Sequence, residues 1–167
     1  QARKHIERGA VTAGYSADRE KVLKLLNEAL ATEIVCVLRY RRHHFMASGI
    51  HGQSVGAEFM IHSNEEQGPA DLLAARIVQL GGEPDFAPDS LTKRSHAEYV
   101  AGDTLAQMIQ ENLVAERIAI DSYRDMVRYL GDQDPTTSEL PKQTLAVDEA
   151  HADELADLRG GMTEHPA

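Results

Sequence analysis

Four stretches of this chain carry apolar residues at alternating steps of three and four, and each stripe has one carboxylate near its middle. The stripes are Leu23, Leu26, Leu30, Glu33, Val37, Tyr40, His44; then Phe59, His62, Glu66, Pro69, Leu73, Ile77, Leu80. The third is Leu105, Ile109, Asn112, Glu116, Ile120, Tyr123, Val127, Leu130, and the fourth Thr144, Asp148, His151, Leu155, Leu158. That spacing puts each set on one face of an α-helix. Four long helices with one apolar face each can bury those faces only against one another. The expected fold class is all-α, a four-helix bundle.

Helix limits follow from caps and breakers. Ser16 is the expected cap of the first helix, with Asp18 and Glu20 in its first turn, and Gly49 its end. The basic run Arg39, Arg41, Arg42, His43 is read as an exposed or subunit-facing side. A short loop from Gly49 to Gly56 makes the second helix antiparallel to the first, and Gly81-Gly82 stops it. Pro69 interrupts that stripe at a nominal cost of about 3 kcal/mol, so one bent helix is expected. Residues 82–101 are long enough to cross the bundle, with a short helical piece near Ser90 to His96. Thr104 and Gln107 form a capping-box pattern for the third helix, which stops at Gly131. Asp134 and Pro135 open the fourth as N-cap and first residue, and Gly160-Gly161 close it. Pro141 is a possible kink. The domain limits are thus a tail at 1–15, a bundle at 16–160 and a second tail at 161–167. The basic first tail is either a solvated terminus, which we favour, or an arm touching DNA or a neighbouring subunit.

Bulk properties narrow the function. With 17 basic and 27 acidic residues the net charge is -10, unsuited to general nucleic-acid binding and suited to attracting cations. DNA binding is possible but not expected. No apolar run of about 18 residues is present, so no membrane span is expected. The lone Cys36 fits a reducing, cytoplasmic setting.

The mid-stripe acids carry the chemistry. A single buried Glu is usually ion-paired or reaches out to solvent. Four of them, one per helix, at matched spacing, point elsewhere. Glu66 follows Glu33 by 33 residues and Asp148 follows Glu116 by 32. Glu66-Gln67-Gly68-Pro69 also parallels Asp148-Glu149-Ala150-His151. The chain therefore reads as two helical hairpins about a pseudo-twofold, bringing four carboxylates and His151 to one level. Such an oxygen-rich set suits one or two iron or manganese ions better than structural zinc. His62, one turn before Glu66, is a ligand or a hydrogen-bonded core histidine. Tyr40 and Tyr123 read as core residues, although a tyrosine near a redox metal could pass an electron.

From about Ser16 to Leu158 the sequence resembles the ferritin-like superfamily, its bacterioferritin and Dps-like branch. The resemblance lies in Leu26-Asn27-Glu28-Ala29-Leu30-Ala31-Thr32-Glu33, in Glu65-Glu66-Gln67-Gly68-Pro69-Ala70-Asp71, around Ala115-Glu116-Arg117, and in Val147-Asp148-Glu149-Ala150-His151-Ala152-Asp153. It implies a di-iron ferroxidase centre in a ferritin-like four-helix bundle. Glu33 and Glu116 would be terminal ligands, Glu66 and Asp148 would bridge, and His151 would ligate one metal, with Mn or Zn as possible substitutes. It also implies a homo-oligomeric cage that oxidises Fe(II) with O2 or H2O2, stores the ferric product and protects against oxidative stress.

The sequence departs from that pattern at three points. Pro69 stands where a first ligating histidine is expected, and His62 is a candidate substitute. Asp148 is one carbon shorter than the usual Glu. Gln67 stands where bacterioferritins carry a haem-ligating Met, so haem is not expected. Without a fifth helix after the fourth, a shell of twelve subunits is favoured over twenty-four. Two alternatives remain. One is a cage or DNA-protecting protein whose centre is degraded by Pro69 and Asp148. The other is a non-storing di-metal oxidoreductase, against which stands the lack of rubredoxin-like Cys pairs.

Overall fold

The computed structural model describes residues 1–164. Four long helices dominate: α1 (Arg19–Met46), α2 (Gly52–Gln79), α4 (Leu105–Leu130) and α5 (Pro135–Glu164). Between α2 and α4 a crossover carries a 3-10 turn at Pro88–Ser90 and the short α3 (Leu91–Arg94). There is no strand among the described residues. α1 pairs with α2 and α4 with α5, as two hairpins, while α3 packs on α1.

Local chemistry explains the limits, including those that differ from the sequence-based expectations. α1 is capped by Asp18, whose Oδ1 accepts the Lys21 N–H at 3.2 Å, and not by Ser16. The preceding chain is pinned to the bundle: Val11, Tyr15 and Ala17 pack against the core. The tail at 1–15 is therefore partly docked. α2 starts at Gly52, four residues ahead of Gly56. A Cβ on Gly56 would lie 3.1 Å from Ala47 Cβ and 3.3 Å from the His44 carbonyl oxygen. Gly56 thus serves close helix approach inside α2 and does not end a loop. α2 runs unbroken through Pro69, as expected. It ends in a Schellman motif: Gly82 N–H bonds the Ile77 carbonyl and Gly81 N–H that of Val78, with Gly81 at φ 82°.

The capping box at Thr104 and Gln107 is present. α5, in contrast, continues through Gly160-Gly161 to Glu164, so the expected tail at 161–167 is helical up to 164, and 165–167 lie outside the described residues. Two glycines cost a helix only about 2 kcal/mol together. Burial of Met162 beside Tyr40, Phe59 and Leu155 opposes that cost.

The core has two apolar layers with a polar one between them. Leu26, Leu30, Leu73, Ile77, Tyr123 and Leu130 fill one end, and Tyr40, Val55, Phe59, Met108, Ile109 and Leu155 the other. The basic run on α1 is divided between surface and interior, contrary to its reading as an exposed side. Arg41 is exposed, whereas Arg39 and His43 are wholly buried. A helix rotates 100° per residue, so residues 39 and 43, one turn apart, both face inward beneath the crossover.

Asp134 ties three segments together at the start of α5. Its Oδ1 accepts from the Thr137 N–H at 2.9 Å and from Arg76 at 3.0 Å, and its Oδ2 from the Tyr15 hydroxyl at 2.8 Å. Burial raises its pKa, but the Thr137, Tyr15 and Arg76 contacts outweigh that and hold it below the ordinary aspartate value. A depressed pKa gives stability that is present above about pH 4 and lost as pH falls through the folded value. Asp134→Ala is expected to cost about 2 kcal/mol at pH 7 in urea unfolding, with the deficit shrinking below pH 4. A loss independent of pH would contradict this.

Candidate metal centre

Each long helix delivers its mid-stripe acid to the polar layer. Glu33 comes from α1, Glu66 from α2, Glu116 from α4, and Asp148 with His151 from α5. All five are at most 2% exposed. One donor atom each from Glu66, Glu116, Asp148 and His151 lies within 4.8 Å of the others. Glu33 joins them beside Glu66, whose charge is among the influences raising its pKa.

Hydrogen bonds orient the set. The Tyr123 hydroxyl donates to Glu33 Oε1, and that of Tyr40 to Glu116 Oε1 at 2.5 Å. His151 Nδ1 lies 3.1 Å from Glu66 Oε1 and 3.3 Å from Glu116 Oε1, while Nε2 lies 2.6 Å from Glu65 Oε2. Burial opposes charge on that ring, but the Glu116 and Glu65 contacts prevail and raise it to about 9. In the metal-free chain His151 is thus an imidazolium, a cation standing among the carboxylates.

It does not satisfy them all. Both oxygens of Asp148 and Oε2 of Glu33 are buried without a hydrogen-bond donor. Burial, then Glu33 and Glu116, push the Asp148 carboxyl up to about 10. Burial, then Glu66, hold Glu33 well above the carboxylate range. Unpaired carboxylates in an apolar interior are expensive to ionise, and a divalent cation removes that cost. Three donorless oxygens and an imidazole fit a hard or borderline metal ion such as iron or manganese. Nδ1 is the nitrogen that faces the cluster, so ligation needs Nδ1 unprotonated, while Nε2–H donates to half-exposed Glu65 and fixes the ring.

Pro69 lies at the entrance. A cleft of about 560 Å³ between α2 and α5 is lined by Glu65, Pro69, Ala150, His151 and Glu154, among others. The proline ring offers no donor there. His62 does not enter the central set. Its ring stacks on that of His151, centroids 3.9 Å apart at 16°, and its Nε2 faces Glu154 and Glu58. Glu65 and Glu154 lie off the stripes, so the stripe pattern does not assign them to the cluster. Only the packing of α2 against α5 turns them toward His151 and His62.

The fold and site define a class: an all-α bundle of two crossed-over hairpins whose core holds a buried carboxylate–imidazole cluster. The ferritin-like domain profile matches residues 23–163, and the chain belongs to the ferritin family. It is 26% identical over 141 residues to a bacterioferritin of Desulfovibrio desulfuricans, covering 83% of this chain and 75% of that protein. It is 28% identical over 149 residues to a DNA protection during starvation protein of Pyrococcus furiosus, covering 86% and 80%. Among solved structures, the dodecameric thioferritin of Bacteroides fragilis, a bacterioferritin-related protein, superposes with a TM-score of 0.84 at 27% identity, over 88% of this chain and 89% of that one. No helix among the described residues is long and apolar enough to cross a membrane.

Proposed function

We propose that this chain oxidises Fe(II) with O2 or H2O2 at the buried cluster and retains the product inside a homo-oligomeric shell, which limits oxidative damage. The observation that carries this is the donor set itself: four buried carboxylates, three of their oxygens without a hydrogen-bond donor, beside one imidazole. Glu33, Glu66, Glu116, Asp148 and His151 would hold the iron, Glu33 and Glu116 as terminal ligands, Glu66 and Asp148 as shared ones and His151 on one ion. When bound, such a pair supplies one electron per iron to the oxidant.

The chain's own groups do the rest. Tyr123 and Tyr40 fix the Glu33 and Glu116 carboxylates by donating to them. His151 donates Nε2–H to Glu65 Oε2, 2.6 Å away, which fixes the ring so that Nδ1, once free of its proton, turns its lone pair into the cluster. The apolar layers on either side keep water out. The shell reading rests on large exposed apolar residues, including Phe45 at 74% and Ile50 at 91%, which suit subunit contacts. The dodecameric B. fragilis neighbour favours twelve copies. Buried, unpaired Cys36 suits a reducing cytoplasm.

Purified protein given Fe(II) in air should develop ferric absorbance faster than buffer and carry the iron through gel filtration at a mass of hundreds of kilodaltons, on the order of twelve copies. Colour without retained iron, on a monomer or dimer, would instead indicate a non-storing di-metal oxidoreductase. Pro69 supports a second reading, a shell whose centre is weakened at one position. Pro69→His places an imidazole three residues from Glu66, on its helix face. It is expected to raise the oxidation rate at least several-fold with assembly unchanged, and a rate at or below wild type would count against a weakened position.

A further inference from the structure

Beyond the central cluster, Glu58, His62 and Glu154 also bring one donor atom each to within 4.8 Å of one another. Glu58 and His62 are one turn apart on α2, and Glu154 comes from α5. His62 is buried, whereas the Glu58 and Glu154 side chains are about half exposed. The group therefore sits at the surface end of the polar layer, facing solvent on its carboxylate side.

Proton placement fixes what His62 offers. The Tyr40 hydroxyl has one proton, and it goes to Glu116 Oε1 at 2.5 Å. Toward His62 Nδ1, 3.3 Å away, Tyr40 can only accept, so Nδ1 carries the ring proton. Nε2 is the nitrogen turned toward the carboxylates. It faces Glu154 Oε2 at 2.8 Å and Glu58 Oε2 at 4.0 Å. Three groups able to ligate a metal thus converge from two helices, and the imidazole is anchored through its other nitrogen, as metal-bound histidines commonly are.

We propose that Glu58, His62 and Glu154 form a second divalent-cation site, joined to the central cluster through the Tyr40 hydroxyl. One imidazole nitrogen and two carboxylates suit Fe(II), Co(II), Mn(II) or Zn(II), with water completing the shell, better than magnesium or calcium. Its position suggests its use. Glu154 borders both the cleft that opens on His151 and a neighbouring one of about 590 Å³ that also carries Glu58 and Asp157. An ion held there stands at the mouth of the path to the centre, so the site loads the centre with Fe(II). That role rests on the iron-oxidising function proposed above; the binding does not.

Co(II) titration of the metal-stripped full-length protein, followed by calorimetry and visible absorption, tests both. Wild type should bind one equivalent more than Glu58→Gln/Glu154→Gln, whose changes are at half-exposed positions and should leave the melting temperature in place. Glu33→Gln/Asp148→Asn should lose central binding yet keep that extra equivalent. Equal stoichiometry in wild type and Glu58→Gln/Glu154→Gln overturns the site, whatever the central cluster does. Loss of the extra equivalent in Glu33→Gln/Asp148→Asn overturns its independence. If the site is present, Glu58→Gln/Glu154→Gln should slow Fe(II) oxidation several-fold at limiting iron and little at saturation. Unchanged rates at limiting iron overturn the loading role.

Discussion

Asp148→Asn, alone or with Glu33→Gln, is expected to make the metal-free protein more stable and to abolish the stabilisation that metal gives through the central cluster. Both oxygens of Asp148 are buried without a donor, so without a cation the folded chain must keep it protonated, at a cost that grows with pH. A neutral amide of the same size is cheaper to bury and brings a donor to a site crowded with acceptors. The gain should be about 1–3 kcal/mol, or about 2–10 °C in melting temperature. Linkage fixes its pH dependence. A carboxyl at about 10 when folded, against about 3.9 unfolded, keeps its proton in the folded chain over that window. The stability it contributes is complete below about pH 4 and declines as pH rises toward the folded value. The raised imidazole of His151, at about 9, adds a decline of the same sign between its unfolded value of about 6.5 and 9 in both proteins. The advantage of the variant should therefore be wider at pH 8 than at pH 5. Fe(II) or Co(II) at about 100 times the central cluster's dissociation constant should stabilise wild type through that cluster by about 2.7 kcal/mol, a share that the variant lacks. Thermal melts at two pH values, with and without metal, decide it. A variant less stable than wild type at pH 8 without metal would sink the account of the cluster as carboxyls that burial forces to stay protonated.

Arg39→Ala should be among the most damaging single changes in the chain, though it touches no proposed ligand. The guanidinium is wholly buried. Nε donates to Asn112 Oδ1 at 2.9 Å, one terminal nitrogen to the Glu98 carbonyl at 2.9 Å, and the other to Cys36 Sγ at 3.4 Å. The chain of bonds goes on: Asn112 Nδ2 lies 2.8 Å from His43 Nδ1, and His43 Nε2 meets the Val100 and Ala101 carbonyls at 3.0 and 2.8 Å. With Nε2–H donating to those carbonyls, Nδ1 accepts from the Asn112 amide, whose oxygen accepts from Arg39. One neutral tautomer of His43 satisfies the whole network, and burial lowers its pKa accordingly. Removing Arg39 leaves a cavity, a carbonyl and an amide oxygen unpaired, and takes a positive charge from beside the acids. A loss of about 3–5 kcal/mol is expected in urea unfolding. Backbone amides at 97–101 should exchange much faster, because the network fastens the crossover to α1 and α4. A loss under about 1 kcal/mol would mean that the network does not hold the crossover.

Glu33, Glu66, Glu116, Asp148 and His151 were all legible because each occupies a stripe position. A stripe position in a bundle is an inward position, so four acids one per stripe had to meet. The capping box at Thr104, the cap at Asp134 and the turn at Gly81-Gly82 were legible for a similar reason, since each is chemistry within a few residues. The errors were of two kinds. Ser16, Gly56 and Gly160-Gly161 were taken for boundaries on local grounds and overruled by packing: docking of Tyr15, close approach at Ala47, burial of Met162. Arg39 and His43 were assigned to the surface because charge usually goes there, and only the crossover lying over them supplies the acceptors that let them be buried.

What the sequence determined by itself was the set of helices, their inward faces and the acids those faces carry, because hydrophobic periodicity and capping are properties of short stretches. What only the tertiary structure decided was which off-stripe groups meet the inward ones: Glu65 against His151, Glu154 and Glu58 against His62, the crossover carbonyls against Arg39 and His43. Those pairings depend on the rotation and offset of one helix against another, set by the summed packing of the whole core, and no short stretch of chain encodes them.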